Sequence, residues 1–376
     1  MTATNQFWDA IVIGGGLAGA VSATRLADAG RRVLLVESKR FPRPKVCGGC
    51  LNARAIAGLE ESGLASVARD CEPGAIDRIN LHNAGRSLSI PLPPGLAITR
   101  STLDDVLLRE AARRGVEVRQ GVNARVAAGS GEQVRAVRLR CEGQTHTEQA
   151  RVVLACDGLG HPSLADLSRF EVVVPSDSRT GLGAVLEPTA AAEAYPAGAI
   201  TMAVGLRGYV GVARCEQGRV NIAAAFDRTV LRNRTSAEAV RELLVDAGLP
   251  EVDGLAAACW QASPRLSQHS PRVAGERLFL VGDAAGYVEP FTGEGMASAI
   301  EGALAVTPLA LQGIDSWSDR LADDWQTAYT RRVRRRQETC RALAWMLRRP
   351  LATRIGLGAA SLVPTIGRMV AAKVSA

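Results

Sequence analysis

The amino-acid sequence predicts an α/β fold in which a β-rich region interrupts a strand–helix–strand framework and helices end the chain. Three observations support this prediction. An apolar run at 8–13, helical spacing over 17–29 and a second apolar run at 32–36 form a strand–helix–strand unit. Residues 171–226 are rich in strand-forming patterns. Residues 278–281 then return to a buried strand, which a glycine-rich loop and a helix follow.

Turn residues and hydrophobic periodicity predict the elements between these landmarks. Prolines and glycines between residues 40 and 51 indicate a loop. A helix is expected from Ser101, as its cap, to Arg114, because Gly115 ends the pattern. Asn83-Ala84-Gly85 separates two strands of a hairpin. The remaining predicted elements are helices at 52–63, 235–247 and 317–347, strands at 172–174, 183–186, 200–204, 209–213 and 220–226, a meander over 116–140 and a buried strand at 152–155.

The net charge of +7 comes from the C-terminal end of the 376-residue chain. Residues 331–376 carry eleven basic residues and one acidic residue, whereas the rest of the chain has 34 basic and 37 acidic residues. Two interpretations of this tail stay open: a helical cap with a solvated arginine face, or attachment to an anionic membrane surface. No nucleic-acid-binding module accompanies the charge, so we expect no nucleic-acid partner.

Targeting signals and cysteine usage predict a cytoplasmic protein. The first eight residues carry no positive charge ahead of the first apolar run, unlike a signal peptide. Eight cysteines over 376 residues are too sparse for a secreted disulfide framework. The nearest approach to a membrane span, residues 355–367, is short and contains Pro364, so no transmembrane anchor is expected. If the tail attaches to a membrane, the protein would lie at its inner face.

A glycine motif predicts a dinucleotide site at the start of the chain. Residues 14–19, Gly-Gly-Gly-Leu-Ala-Gly, fit G-x-G-x-x-G between a predicted strand and helix. The first glycine permits a tight turn, the second lets the backbone approach a pyrophosphate, and the third allows close helix–strand packing. The helix N-terminus favours anionic phosphates, and an acidic residue ending the next strand can accept hydrogen bonds from ribose hydroxyls. The predicted site comprises Gly14, Gly16, Leu17, Ala18, Gly19 and Glu37.

The segment 275–297, GERLFLVGDAAGYVEPFTGEGMA, indicates which dinucleotide binds. On this segment the chain resembles the geranylgeranyl reductase and flavin-dependent monooxygenase superfamily of FAD-dependent oxidoreductases. The resemblance implies an FAD-binding Rossmann-like domain of the glutathione-reductase type, with an inserted β-rich substrate domain and a helical C-terminus. It also implies that Asp283 binds the ribityl hydroxyls of FAD. The residues implied beside the isoalloxazine are Pro290, Gly293, Gly295 and Met296.

Two shorter motifs extend the resemblance. Residues 100–104, Arg-Ser-Thr-Leu-Asp, resemble the family's R-x-x-L-D, whose arginine approaches the FAD phosphates or ribose. Cys156-Asp157-Gly158 resembles its D-G motif. Together with the glycine motif and the segment 275–297, these matches follow the family's order across residues 11–300. The resemblance therefore adds Arg100, Asp157 and Gly158 to the expected FAD site.

A cysteine-containing loop follows the second predicted strand. Residues 45–49, Lys-Val-Cys-Gly-Gly, resemble the K-x-C-G-G segment of geranylgeranyl reductases, in which the cysteine lies near the flavin. The resemblance implies that Lys45, Cys47, Gly48 and Gly49 contact FAD, and it makes Cys47 the candidate catalytic residue. Cys50 completes a C-x-x-C, so a redox dithiol is an alternative, although no second G-x-G-x-x-G for nicotinamide occurs between residues 100 and 300. A third interpretation treats Cys47 as a small apolar filler.

The predicted substrate region differs from those of characterised relatives. Residues 209–213, Tyr-Val-Gly-Val-Ala, occupy the place of the aromatic stretch that lines the cavity of prenyl reductases, which makes Tyr209 and Gly211 candidate substrate contacts. They lack the family's Trp and Phe-Pro, and the halogenase W-x-W-x-I-P is also absent. Small residues here leave room for a bulky or long apolar ligand. The four histidines show no metal-ligand spacing, so no metal is expected.

The order of the motifs divides the chain into three parts. The predicted divisions are a discontinuous FAD-binding domain at 1–75, 97–170 and 266–316, a substrate-binding domain at 76–96 and 171–265, and a helical C-terminal region at 317–376.

The resemblance leaves three functions open. The first expectation is monooxygenation, in which NADPH or NADH reduces FAD and O₂ then hydroxylates a lipophilic aromatic or polyketide-like substrate. The second is reduction of a carbon–carbon double bond in an isoprenoid or lipid chain, which residues 45–49 suggest. The third is a flavoprotein that carries electrons to a partner protein or assists its maturation.

Overall fold

The structure is a computed structural model that describes residues 7–130, 133–188, 195–289 and 294–338. Its strands form two eight-stranded sheets and one two-stranded sheet within these ranges. The first sheet contains β1 (Trp8–Ile13), β2 (Val33–Glu37), β6 (Glu117–Gln120), β7 (Asn123–Ser130), β8 (Arg135–Cys141), β9 (Gln144–Ala155), β16 (Ala274–Gly275) and β17 (Leu278–Leu280). The second contains β3 (Cys50–Leu51), β4 (Gly74–Asn83), β5 (Arg86–Ala97), β10 (Thr180–Leu186), β11 (Gly198–Gly205), β12 (Gly208–Arg214), β13 (Val220–Phe226) and β14 (Gln261–Arg265). The third pairs β15 (Gln268–His269) with β18 (Gly286–Tyr287).

Seven α-helices accompany the sheets in the described ranges: α1 (Leu17–Asp28), α2 (Ala53–Glu61), α3 (Ala65–Arg69), α4 (Arg100–Arg113), α5 (Ser236–Asp246), α6 (Glu294–Asp315) and α7 (Arg320–Tyr329), the last continued by a π-helical turn at Thr330–Arg334. The predicted α/β class is thereby confirmed.

The first sheet places the ends of its central strands side by side. Its order is β16-β17-β9-β1-β2-β6, and β17, β9, β1, β2 and β6 run parallel to one another. Strands β7 and β8 join through the antiparallel pairing of β8 with β9. Because parallel strands end at a common edge, the loops that follow β1, β9 and β17 meet there.

The core of this part lies between the first sheet and helices α1, α4 and α6. Strands β1 and β2 are almost continuously apolar and buried, as is typical of a parallel sheet covered on both faces. Helix α1 carries mainly small or apolar residues and packs against α4 and α6. Small side chains let these helices approach closely, which fixes the position of the N-terminal end of α1.

The second sheet has one face in its own core and one face toward the first sheet's loops. Along β12, Val210 and Val212 are buried in an apolar cluster that includes residues of α5, whereas Tyr209 and Gly211 face a cavity. This alternation follows from the two-residue period of a strand. Helix α5 begins with a capping box in which Thr235 and Glu238 bond each other's backbone amides.

Three predicted elements differ from the structure. Helix α4 begins at Arg100 and is capped by Thr99, whose side chain accepts a hydrogen bond from Thr102 N, so Ser101 is not the cap. The strand predicted at 172–174 is reduced to an isolated bridge between Val173 and His269. In the predicted helix 317–347, α7 begins only at Arg320, and residues 339–347 lie outside the described part of the chain.

The division into domains stays a prediction. Most strands of the second sheet come from residues 74–97 and 180–265. Strand β3, at residues 50–51, also belongs to this sheet, although its sequence lies in the range assigned to the FAD-binding domain.

Helix α6 is the one helix in the described ranges that is long and apolar enough to cross a membrane. Its most apolar window is 56% buried inside the protein, and Met296, Ile300 and Val306 belong to the main core. Its apolar character is accounted for by this packing. The apolar stretch 355–367 lies outside the described residues.

Candidate active site

The three loops at the carboxyl edge of the first sheet build one continuous cleft. Gly14 follows β1, Asp157 follows β9 and Asp283 follows β17. The register pairs Ile13 with Ala155 and Ala155 with Leu280, which brings the three loops into neighbouring positions. A cavity lined by all three loops runs along this edge.

The glycine turn is tight enough to exclude side chains at two of its positions. Gly14 has φ +103°, and a Cβ there would lie 2.5 Å from the carbonyl oxygen of Cys156. A Cβ on Gly19 would lie 1.8 Å from the carbonyl oxygen of Gly14. Gly19 is therefore required by the packing of the turn itself, and Gly14 by its positive φ and by the loop after β9.

The N-terminus of α1 presents free amides to the cleft. Its cap, Gly16, provides no side-chain hydrogen bond, and the nearest atom to a Cβ placed there would be Nη2 of Arg100, at 3.5 Å. The Arg100 side chain is buried and donates to both carboxylate oxygens of Asp104 at 2.7 Å. Burial alone would lower the pKa of Arg100, but the Asp104 carboxylate holds it above its ordinary value. A fixed cation thus stands beside uncapped helix amides, which is an arrangement suited to phosphate. Leu17 and Ala18 line a second cavity that adjoins the cleft.

Glu37 is held in place at the end of β2. Its Oε2 accepts a hydrogen bond from Gly15 N at 2.8 Å, and its Oε1 accepts from Lys39 N at 2.8 Å. Oε1 also accepts from Ser38 Oγ at 3.2 Å, so Oε2 is the oxygen that keeps lone-pair capacity for a further donor. The residue is buried yet lines the cleft, so it can accept hydrogen bonds from ribose hydroxyls.

Asp157 has one carboxylate oxygen with a partner and one without. Oδ2 accepts from Ser163 N at 2.7 Å, whereas Oδ1 is shielded from solvent and has no hydrogen-bond partner among the described residues. Burial raises the pKa of Asp157, although the hydrogen bond from Ser163 opposes this effect. A buried acceptor without a partner is costly, and the described residues supply no donor to this oxygen. Gly158, the next residue, has φ +83° and also lines the cleft.

The loop after β17 contacts the cysteine loop and the start of α6. Lys45 Nζ lies 3.4 Å from Asp283 Oδ2 in a half-exposed ion pair. Gly295 and Met296, in the first turn of α6, line the same cavity as these two residues. The Tyr287 ring packs directly against Gly295 in this cavity, because a Cβ on Gly295 would lie 2.9 Å from the ring.

Tyr287 keeps its proton in this cavity. Burial, reinforced by the Asp283 carboxylate, holds the pKa of Tyr287 well above its ordinary value. The neutral phenol is therefore available as a hydrogen-bond donor.

The cysteine loop is fixed by its backbone. Asn221 of β13 donates from Nδ2 to the carbonyl oxygen of Cys47 at 2.9 Å, and Gly49 adopts φ +70° with Ile98 O within 2.9 Å of its would-be Cβ. Cys47 and Cys50 are free thiols, and burial raises the pKa of Cys50 to about 12. Cys50 is thus a poor source of thiolate. Gly48 and Cys47 line the cavity.

One wall of the cavity is apolar and belongs to the second sheet. Tyr209 and Gly211 of β12, predicted as substrate contacts, form this wall together with Ile200 and Met202 of β11. Met202 and Gly211 are cross-strand partners, and a Cβ on Gly211 would lie 2.8 Å from Met202 Sδ. The predicted substrate residues and several of the predicted FAD residues therefore line one cavity.

A buried ion network positions the start of α6. Arg54 of α2 donates to Glu294 at 2.6 Å and to Glu301 at 2.5 and 2.9 Å. Burial raises the pKa of Glu294, which the Arg54 guanidinium opposes. Pro290 and Gly293, predicted beside the isoalloxazine, lie outside the described residues.

Several cavity residues escaped the sequence analysis. Tyr287 lies in the motif segment 275–297, but the motif assigns no role to its side chain. Asp104 ends the R-x-x-L-D motif, in which only the arginine was assigned a role. Met202 and Asn221 reach the site only through strand pairing. The alternation of β11 could have placed Met202 on one face of its strand, but not next to Gly211.

These residues fit FAD. The uncapped helix N-terminus with Arg100 suits the pyrophosphate, Glu37 suits a ribose, and Asp157 Oδ1 lacks the donor that a hydroxyl group of the cofactor would provide. The cavity bounded by the cysteine loop and α6 adjoins this region, since both cavities share Gly16, Lys45 and Asp283.

Comparisons with known proteins agree with this assignment. The chain is 30% identical over 341 residues to the menaquinone reductase of Mycobacterium tuberculosis (strain ATCC 25618 / H37Rv), covering 86% of this chain and 81% of the relative. It is 26% identical over 358 residues to digeranylgeranylglycerophospholipid reductase 2 of Methanopyrus kandleri, covering 86% and 83%. A flavoprotein/dehydrogenase from Cytophaga hutchinsonii shares the fold, with a TM-score of 0.84, 17% identity and coverage of 98% and 93%.

Residues 8–311 match the FAD binding domain family. The predictions of FAD and of an oxidoreductase are thereby confirmed, while the roles of individual residues stay predictions. The chain belongs to the FAD binding domain family and is an FAD-dependent oxidoreductase of the geranylgeranyl reductase and flavin-dependent monooxygenase superfamily.

Proposed function

We propose that this oxidoreductase reduces a carbon–carbon double bond in the isoprenoid chain of a lipophilic molecule, with NADPH or NADH as the electron donor. The observation that carries the proposal is the apolar wall of Ile200, Met202, Tyr209 and Gly211 opposite the FAD-binding loops. The names of the two relatives, a menaquinone reductase and a digeranylgeranylglycerophospholipid reductase, support the same substrate class.

The shape of the apolar region favours a long chain. A second, smaller cavity shares Cys50 and Ile200 with the first and continues between β4, β5 and β11. Its lining includes Ile76, Ile79 and Leu92. An unbranched or isoprenoid chain that enters over Met202 could therefore extend past Cys50 without meeting a charged side chain in this lining.

FAD supplies the two-electron chemistry when it is bound. The residues of the chain position it and the substrate: the α1 N-terminus and Arg100 neutralise phosphate charge, and the apolar wall excludes water from the reacting bond. Tyr287 Oη holds a proton inside the cavity. Cys47 lines the cavity and stays the candidate catalytic residue.

Product analysis tests this proposal. The FAD-loaded protein is incubated with NADPH and a polyprenyl quinone, with and without oxygen, and the product is examined by mass spectrometry and NMR. We expect a gain of two hydrogen atoms in the side chain under both conditions. A product that forms only with oxygen and gains an oxygen atom would overturn the proposal.

That second result is the one expected of the monooxygenase, our second candidate. The segment around Gly211 lacks the Trp and Phe-Pro of prenyl reductases, and this difference favours a bulkier aromatic or polyketide-like substrate. An electron-carrier role has less support, because the cavity is lined from both sheets rather than presented as a flat docking face.

We further propose that the basic tail contacts an anionic membrane at the cytoplasmic face, which would suit a lipophilic substrate. Trp325, Tyr329 and Val333 are buried in the core, so a truncation must spare them. Residues 339–376 carry six of the eleven basic residues of the tail. Their removal should weaken salt-sensitive pelleting with vesicles containing phosphatidylglycerol while leaving FAD content unchanged. Undiminished pelleting of the truncated protein would contradict this role.

A further inference from the structure

One face of the β7–β8–β9 meander is cationic, and none of the described strand residues on that face is a carboxylate. The register pairs Arg125 with Arg138 and Asn123 with Arg140, while Arg140 and Arg138 pair with Thr145 and Thr147 of β9. Directly opposed residues in antiparallel strands lie on the same face. We call these six residues the arginine face: Asn123, Arg125, Arg138, Arg140, Thr145 and Thr147. The alternate residues Val126, Val137 and Leu139 are buried in the core.

The positive charge of the arginine face is largely uncompensated. Arg125 and Arg138 are directly opposed like charges, which destabilises a strand pair unless an anion lies between them. Arg138 pairs with Asp166, but within the described ranges no carboxylate forms an ion pair with Arg125 or Arg140, and both are exposed. Guanidinium and hydroxyl donors without a neighbouring acid are the groups that bind phosphate.

The arginine face borders the cofactor cleft. Arg125, Arg138 and Arg140 line the same cavity as Glu37 and Asp157. The α1 N-terminus and Arg100 are already assigned to the FAD phosphates. Arg125 and Arg140, which no described carboxylate pairs, are therefore available for a second phosphorylated ligand.

The arginine face adjoins the passage from the cleft to the flavin cavity, by which we mean the cavity bounded by the cysteine loop and the start of α6. The cleft and the flavin cavity share Lys45, Val46, Leu266 and Tyr287 as common walls. FAD is assigned to this passage, so an extended molecule with its phosphates on the arginine face would approach the flavin cavity alongside FAD.

We propose that the arginine face binds the phosphates of the nicotinamide dinucleotide donor and prefers the 2′-phosphorylated form, NADPH, over NADH. This inference rests on the proposed function, which requires a two-electron donor, and names its binding site. An additional phosphate adds about two negative charges, which Arg125 and Arg140 can meet, whereas NADH offers only its pyrophosphate.

The test compares the double variant Arg125→Glu/Arg140→Glu with the control Arg86→Glu, an exposed arginine of β5 outside the arginine face. Calorimetry on the FAD-loaded proteins measures the binding of NADP⁺ and NAD⁺. We expect the double variant to weaken NADP⁺ binding at least about tenfold, with a smaller effect on NAD⁺ and none in the control. FAD content and the kcat at saturating NADPH should stay unchanged, so that only the KM for NADPH rises.

Three results would overturn the inference. One is NADP⁺ binding by the double variant that equals that of the unaltered protein. Another is a loss of FAD affinity, because the arginine face would then serve FAD itself. The third is an unaltered protein that binds neither nucleotide but still reduces lipid after treatment with dithionite. That result would overturn the nucleotide site and leave the proposed reductase function intact. Failure of the dithionite-reduced protein to turn over lipid would instead count against the proposed function, independently of nucleotide binding.

Discussion

Replacement of Asp157 by asparagine separates cofactor binding from stability of the apoprotein. The asparagine oxygen can retain the hydrogen bond from Ser163 N that now measures 2.7 Å. At the position of Oδ1, which has no partner among the described residues, the amide places a donor instead of an acceptor. A cofactor hydroxyl that donates to Oδ1 in the native protein then loses its acceptor.

The size of the effect follows from the charge of this acceptor. A hydrogen bond to a charged group contributes about 1.5–3 kcal/mol, so FAD affinity should fall by roughly 10- to 150-fold, at 1.4 kcal/mol per factor of ten. The apoprotein should gain stability, by about 1 kcal/mol near pH 8, because an uncharged amide costs less to bury than an ionised carboxylate without a partner.

Both FAD affinity and apoprotein stability should depend on pH through the protonation of Asp157. Burial raises the pKa of Asp157 above its ordinary value of 3.8, so the folded apoprotein binds this proton more tightly than the unfolded chain does. Its contribution to apoprotein stability is complete below pH 3.8 and is lost as the pH rises through the folded-state pKa. A cofactor hydroxyl donates more strongly to an ionised carboxylate than to a protonated one. FAD affinity should therefore fall as the pH falls through that pKa, and Asp157→Asn should remove this dependence.

Fluorescence titration of the apoprotein with FAD and urea unfolding without FAD measure the two effects. Asp77→Asn is the matched control, since Asp77 is an exposed aspartate on β4. An Asp157→Asn protein that binds FAD within twofold of the unaltered protein would refute the assignment of Oδ1 to the cofactor.

Three further predictions follow from the packing and chemistry of the cavity. Gly19→Ala places a Cβ 1.8 Å from the carbonyl oxygen of the first motif glycine. Urea unfolding should therefore show that the free energy of unfolding falls by about 3 kcal/mol. A decrease of less than about 1 kcal/mol would contradict the tight turn. Gly211→Val narrows the apolar wall against Met202, so turnover of a long-chain substrate should fall about tenfold with FAD content unchanged, and adding Met202→Ala should restore part of it. Unchanged turnover would place the substrate elsewhere. With a pKa of about 12, Cys50 is on the order of one part in ten thousand thiolate at pH 8, so iodoacetamide should label exposed Cys259 long before it; equal rates would show that the loop opens.

The sequence predicts the cofactor end of the site well because its requirements are local. Gly19 is forced by a contact within one turn and Gly14 by the positive φ of that turn. Glu37 ends the next strand, so spacing along the chain carries the information. Asp157 and Asp283 follow other strands of the same parallel sheet, and strand order brings them to the same edge.

The features that the sequence analysis missed depend on contacts between distant segments. Thr99 rather than Ser101 caps α4, and its hydroxyl also donates to Glu216, in the turn between β12 and β13, at 2.5 Å. Two hydroxyl residues so close in the chain cannot be distinguished by periodicity. The strand predicted at 172–174 retains only the bridge between Val173 and His269, because β-propensity forms a strand only where a neighbour is available to pair.

The substrate end of the site is the least predictable part for the same reason. Gly211 could be singled out from its segment, but the space it leaves is set by Met202, its partner across β11 and β12. Tyr287 faces the cavity because Gly295 leaves room for its ring. Neither relation is visible from spacing along the chain.

The most direct test of the account is a single turnover without oxygen. The FAD-loaded protein is reduced with one equivalent of dithionite and mixed with a geranylgeranyl phospholipid, which has no quinone ring to accept the electrons. We expect that the oxidised flavin absorbance returns and that the lipid gains two hydrogen atoms per flavin. Flavin that stays reduced until oxygen is admitted, with oxygen then appearing in the product, would contradict it.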